Sequence, residues 1–235
     1  MGRQVSFGLV FVKICGITSE EDALLAVAMG ADAVGFVLAP SSRQIAAVRA
    51  GDIAKRLPPE VLTVGVFRDE APKRVVELVN KAGLKAAQLH GGESMDDVAH
   101  VREHVPVVIK AFAAGSGELA RAERYKCDAI MIDSATPGSG KVFDWALAED
   151  APQSIRRVIL AGGLHPGNVA EAIHKVKPWG VDVASGVERS PGRKDATLVR
   201  QFISAAKAAA PRRPVMLPTE DVGDNVLPYD WQEDG

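Results

Sequence analysis

Phe11-Val12-Lys13-Ile14-Cys15-Gly16-Ile17-Thr18 is an apolar, β-favouring run that stops at a thiol and a glycine. Directly after it, Thr18-Ser19-Glu20-Glu21 reads as a capping box opening a helix. Ala23, Leu24, Val27 and Ala28 form that helix's apolar face, and Gly30 lies beyond its end. The unit is therefore a strand, a short loop and a helix, and Cys15 at the strand tip is a candidate catalyst.

The same unit recurs along the chain. Further strands are read at 33–38, 62–67, 86–89, 107–112, 129–132, 158–161 and 180–183, which makes eight. Helical segments are read at 20–29, 47–56, 72–82, 95–104, 118–125, a short one from Asp144, 169–176 and 196–209. Strands apolar on both faces, each followed by a helix, imply a parallel sheet covered by helices. Right-handed crossovers permit a closed barrel or an open Rossmann-type sheet, and eight units in about 210 residues favour a single (β/α)8 TIM barrel.

From Pro211 the texture changes. The segment 211–235 holds four prolines and six acidic residues with no sustained period, so the expected organisation is a barrel over 1–210 and an irregular extension over 211–235. Leu217, Val226, Leu227, Tyr229 and Trp231 could dock that extension, but a loosely packed or disordered tail is the plainer reading.

Composition narrows the function class. The chain has 235 residues at 47% apolar content, enough for a full single core. Its 28 basic and 30 acidic residues leave no nucleic-acid footprint, and a small-molecule partner fits better. Two cysteines, Cys15 and Cys127, cannot staple a domain of this size, which points to a reducing, cytoplasmic setting. No run approaches a membrane span and no signal-peptide pattern follows the apolar stretch 7–12. Met1-Gly2-Arg3-Gln4-Val5-Ser6 fits a lipidation pattern with three free positions, and nothing else implies a membrane.

In a barrel, function gathers at the C-terminal strand ends. Here those ends read Cys15-Gly16, Ala39-Pro40 followed by Arg43, Arg68-Asp69, His90-Gly91, Lys110-Ala111, Asp133-Ser134, Gly162-Gly163, and Asp182 followed by Ser185-Gly186. One thiol, one carboxylate and two glycine loops stand out. Gly162-Gly163 and Ser185-Gly186 follow strands seven and eight, where barrels often hold a phosphate on backbone N–H groups; alternatively the glycines only turn the chain. Gly115-Ser116-Gly117-Glu118-Leu119-Ala120 fits a dinucleotide fingerprint but reads as a surface turn. Gly138-Ser139-Gly140-Lys141 lacks both the first Walker glycine and the magnesium-binding hydroxyl.

Many of these runs together resemble phosphoribosylanthranilate isomerases. The resemblance spans about 12–206 and rests on Val12 to Thr18, Gly30 to Phe36, Val64 to Phe67, Gln88-Leu89-His90-Gly91, Ile132-Asp133-Ser134 and Gly138 to Lys141 with Phe143-Asp144-Trp145. It continues through Ala161 to Leu164, and Val181 to Glu188 before Pro191-Gly192. It implies a tryptophan-pathway Amadori rearrangement of a phosphosugar, with no metal or organic cofactor, in a monomer or homodimer. By the same resemblance Asp133 is the general acid on the ring oxygen, Cys15 the general base at C2', and Arg43 the anthranilate carboxylate's partner. His90 and Asp182 are further substrate contacts, or a packing histidine and a structural acid.

The chemistry calls for such groups on its own terms. Ring opening needs a delivered proton, and the resulting iminium makes C2' acidic enough for a moderate base. Cys15 serves best with its pKa lowered by a positive neighbour, and Asp133 with its pKa raised. Lys13, two residues before Cys15, shares its inward face and can supply that charge; alternatively it pairs with Asp182 across the seam of strands eight and one. Cys127, at the opposite end of the barrel, reads as a core residue.

The loop Pro40-Ser41-Ser42-Arg43-Gln44-Ile45 is a residue shorter than common family versions, which leaves Arg49 as the substitute for Arg43. Two other readings compete: a histidine-pathway sugar isomerase, which uses a carboxylate where Cys15 stands, and a non-catalytic ligand-binding barrel.

Overall fold

The computed structural model describes residues 10–133 and 157–210. The expectations for 1–6, Ser134, 138–141, the short helix from Asp144 and 211–235 lie outside those residues. Among the described residues no helix is long and apolar enough to cross a membrane.

Eight parallel strands close into a barrel: β1 (Phe11–Cys15), β2 (Ala33–Val37), β3 (Leu62–Phe67), β4 (Ala86–Leu89), β5 (Val107–Ala113), β6 (Ala129–Asp133), β7 (Val158–Leu160) and β8 (Gly180–Val183). Closure is made where β1 pairs with β2 on one side and β8 on the other, Lys13 standing beside Ala33 and Asp182. That seam decides against the open sheet.

Strand alternation divides the core in two. Inside the barrel Ala33, Val64, Ala86, Ile109, Met131 and Ile159 pack as a small cluster, with Phe11 and Leu62 closing its base. The other strand face, with Val12, Ile14, Phe36, Leu89, Ile132 and Val181, packs against the helices α1 (Glu20–Ala28), α2 (Ala47–Ala54), α3 (Pro72–Ala82), α4 (Met95–Arg102), α5 (Val169–Val176) and α6 (Ala196–Ala208). Both strand faces are buried, which is why the strands are continuous apolar runs.

Local chemistry sets the helix ends. Pro72 occupies the first turn of α3 and Gly83 ends it at φ +65°. The Asp195 carboxylate caps α6 by accepting from the Thr197 and Leu198 N–H groups, 2.9 and 3.0 Å away.

Several expectations are corrected. Ser19, not Thr18, caps α1, its hydroxyl accepting the Asp22 N–H at 3.2 Å. The buried face of α1 is Asp22, Ala23 and Ala26, while Leu24 is 42% exposed and Ala28 lies outward. The helix is seated with Asp22 inward, where its carboxylate accepts the Lys194 N–H. Residues 119–125 form a 3-10 helix rather than an α-helix. Its buried residues, Leu119, Ala122 and Tyr125, recur every third position, which is the period of that tighter winding. Lys110 is not at the mouth: it lies within β5 on the outer face, paired with Glu93 at 3.0 Å. Cys127 does pack against the core, though only partly buried and two residues ahead of β6. After β8 a short hairpin, β9 (Glu188–Ser190) and β10 (Arg193–Lys194), was not anticipated.

Candidate active site

Lys13 and Cys15 alternate with Val12 and Ile14 along β1 and so point inward. Lys13 is fully buried and its ammonium donates to Asp182 Oδ1 at 2.8 Å. Gly35 on the neighbouring strand makes this possible, because a Cβ there would stand 2.8 Å from Cys15 Sγ and 3.0 Å from Lys13 Nζ. Burial opposes the charge on Lys13, yet Asp182 and Cys15 together outweigh it and hold its pKa above the ordinary lysine value.

For Cys15 the balance falls the other way. Burial raises its pKa, Asp182 adds to the rise, and the opposing pull of Lys13 and Lys194 is smaller. A lysine neighbour is present as expected, but the resting group is a thiol held above its usual value rather than an activated thiolate.

Asp133 ends β6, and its Oδ2 stands 3.0 Å from His90 Nε2. Gln88, inward on β4 and 1% exposed, places its amide nitrogen 2.8 Å from His90 Nδ1. The imidazole is thus held between Gln88 and Asp133, which orients it toward the carboxyl group.

The two glycine loops meet each other. Gly162 and Gly163 take φ of +87° and +65°, a region open chiefly to glycine. Asn168 braces this loop, accepting the His165 N–H at 2.8 Å and donating to the Gly163 carbonyl at 3.0 Å. Ser185–Val187 is a single 3-10 turn, and a Cβ on Gly186 would lie 1.9 Å from the Leu164 carbonyl oxygen. Backbone thus packs on backbone, bringing the loops after β7 and β8 together.

Arg43 reaches across the mouth to Glu188. Its Nε stands 2.9 and 3.1 Å from the two carboxylate oxygens and its Nη2 2.8 Å from one. Arg49 is exposed on α2 and does not line the cavity, whereas Arg43 does.

One cavity at the C-terminal end of the barrel is lined by Arg43, His90, Asp133, Gly162, Gly163, Asp182 and Ser185. Cys15, 6% exposed, lies beneath the mouth rather than on its wall, and Gly186 supports its loop from behind. The strand order β6-β7-β8-β1 sets both glycine loops between the carboxyl of Asp133 and the thiol of Cys15. Sequence reading missed Gln88, Glu188 and Lys194 as parts of this site. Glu188 and Lys194 left one signal, as charged residues flanking the Pro191-Gly192 turn directly after the second glycine loop.

The family model described as N-(5'-phosphoribosyl)anthranilate (PRA) isomerase matches residues 12–205. An N-(5'-phosphoribosyl)anthranilate isomerase from Desulforudis audaxviator is 50% identical over 208 residues, covering 86% of this chain and all of the relative. The crystal structure of phosphoribosyl anthranilate isomerase from Thermotoga maritima superposes with a TM-score of 0.80 at 44% identity, covering 85% of this chain and 100% of that one. A further isomerase structure holds reduced 1-(o-carboxyphenylamino)-1-deoxyribulose 5-phosphate; its TM-score is 0.75 at 42% identity, with 85% and 100% coverage.

Proposed function

The chain belongs to the N-(5'-phosphoribosyl)anthranilate isomerase family, and we propose that its barrel mouth is where N-(5'-phosphoribosyl)anthranilate becomes 1-(2-carboxyphenylamino)-1-deoxyribulose 5-phosphate, with Asp133 as acid and Cys15 as base. The observation that carries this reading is the order of parts around the mouth: acid on β6, glycine loops after β7 and β8, base on β1. A phosphate seated on the two loops leaves the sugar carbons between the two catalytic groups.

The reaction runs in three moves. Asp133, oriented by His90, protonates the furanose oxygen as the C1'–O bond breaks and the anilino nitrogen's lone pair forms the iminium. Cys15 removes the C2' proton, and that electron pair moves into the C1'–C2' bond while the iminium π electrons return to nitrogen. The enol then loses its hydroxyl proton as C1' gains one, which leaves the ketone and a secondary amine. The iminium places a positive charge beside the sulfur at the moment the base is needed, adding to Lys13 and Lys194 against the cost of burial.

Gly162, Gly163 and Ser185, which line the cavity, hold the phosphate through backbone N–H groups, with Gly186 completing the second loop behind them, and Arg43 takes the anthranilate carboxylate. Asp182 anchors Lys13 and meets the sugar hydroxyls at the cavity floor.

The test is turnover of freshly generated phosphoribosylanthranilate, followed as loss of its fluorescence. Decay dependent on this protein is the expected result. A protein that binds the substrate without consuming it, or consumes only the histidine-pathway aminoaldose, overturns the assignment.

A further inference from the structure

Lys194 ends the hairpin β9–β10, and its side chain is completely buried. Its ammonium stands 2.6 Å from the Cys15 carbonyl oxygen, 3.1 Å from the Ala184 carbonyl oxygen and 2.8 Å from Glu188 Oε1. An ammonium has three protons, so all three are engaged. These acceptors belong to three separate parts of the site: the residue that carries the thiol, the residue immediately before the Ser185-Gly186 loop, and the carboxylate that holds Arg43.

Glu188 is the link to Arg43. Its side chain is 3% exposed and lies between Lys194 and the guanidinium. Glu188 takes the Nε and Nη2 edge of Arg43, while Nη1 makes no hydrogen bond among the described residues. The guanidinium is therefore turned so that its remaining donors face away from Glu188. Burial pulls the Lys194 pKa below the ordinary lysine value and Glu188 works against that pull; while Lys194 keeps its proton, two cations share one carboxylate, which leaves one net positive charge at the mouth. Without Lys194, Glu188 would neutralise Arg43 and weaken its attraction for an incoming carboxylate.

Stability alone gives little reason for this arrangement, since a buried charged cluster can often be replaced by apolar packing at no cost. We propose that Lys194 is a positioning residue of this active site, which through Glu188 aims Arg43 and keeps it electrostatically available, and through the Cys15 carbonyl fixes the tip of β1. This rests on the isomerase reading above. Lys194 also belongs to the charged groups that face Cys15: Lys13 on its own strand, Asp182 from β8, Arg43 from the loop after β2, and Lys194 from the hairpin.

The test compares Lys194→Met in the wild-type and Arg43→Ala backgrounds, using fluorescence decay of phosphoribosylanthranilate. Lys194→Met should raise KM and lower kcat, each by at least ~10-fold. In the Arg43→Ala background the KM part should vanish while the kcat part persists, because only the first is routed through Arg43. The rising limb of the pH–rate profile should also move to higher pH, one positive charge having left the surroundings of Cys15.

Equal fold losses in both backgrounds with an unmoved pH limb would mean a purely structural lysine, and wild-type constants would mean no role. If Lys194→Met does not fold, Glu188→Gln enters the same cycle; its KM effect must again disappear without Arg43, and persistence overturns the proposal. Wild-type turnover is measured first, so failure of the isomerase reading is visible separately.

Discussion

Cys15 is subject to opposing influences: burial and Asp182 raise its pKa, while Lys13 and Lys194 pull it down less strongly. A base held in its protonated form at neutral pH should work better as pH rises. kcat/KM is therefore expected to climb through and beyond the ordinary thiol range, roughly pH 8.5. Cys15→Ala and Asp133→Asn should each lower kcat by at least ~10²-fold with unchanged circular dichroism; near-normal turnover in either would remove that residue from the chemistry.

Stability should move against activity. Folding favours the protonated thiol, so that contribution is complete below the unfolded thiol value, near ~8.5, and fades as pH climbs toward the folded one. Lys13 adds to it, since its raised folded pKa gives stability that is full below about 10.4 and lost above. Cys127, raised by burial, acts in the same direction, and Lys194, lowered by burial, acts in the opposite one. The Cys15 contribution is therefore read as a difference: from about pH 8.5 upward the thermal midpoint of the wild type should fall more steeply than that of Cys15→Ala, and parallel curves would contradict the balance drawn around Cys15.

On the proposed reading, Arg43 is the residue that reads the aromatic carboxylate of the substrate. Arg43→Ala should lose about 1.5–3 kcal/mol of substrate binding, with Arg43→Lys restoring only part, because a lysine cannot reproduce the planar fork. The loss should disappear with a substrate lacking the aromatic carboxylate. An equal penalty on that truncated substrate would leave Arg43 as a support for its loop.

Among the elements, the strands were legible because burial on both faces leaves an uninterrupted apolar run, and their ranges agree with the expected ones within a residue, although Lys110-Ala111, read as a tip, falls inside β5. Helix faces were less legible. On α1 Asp22 turns inward to accept the Lys194 N–H while Leu24 is left outward, and that partner lies 172 residues away. The glycine loops were read as a phosphate seat, with plain turns as the alternative, but their mutual contact was not foreseen. Gly186→Ala should push the Leu164 carbonyl away, costing about 1–3 kcal/mol of stability and raising KM at least ~10-fold. Inorganic phosphate should compete with substrate in the wild type and compete poorly in this variant. If KM is unmoved while stability falls, the loops are structural and the phosphate lies elsewhere.

Across the whole molecule, the family match ends at residue 205 and α6 at Ala208. We propose that the catalytic barrel needs none of 211–235 for its stability or its activity. A chain ending at Ala210 should fold with the same thermal midpoint and retain kcat within about twofold, as expected when no core or site residue is removed. A large loss of either would place the extension against the barrel.

The sequence by itself determined the repeated strand–helix unit, the thiol and carboxylate at strand tips, and the glycine loops that follow the last two strands. These are local properties, written in the period of apolar residues and in the few residue types that end a strand. Only the tertiary structure decided closure and charge partnership. Closure needs β1 to pair with β8, and the Lys13–Asp182 bond joins residues 169 positions apart. The Arg43–Glu188–Lys194 chain depends on a hairpin no periodicity announced. Whether a buried cation activates Cys15 or burial silences it is a difference between large opposing electrostatic effects, and their sizes follow from distances and depth that exist only once the barrel has closed.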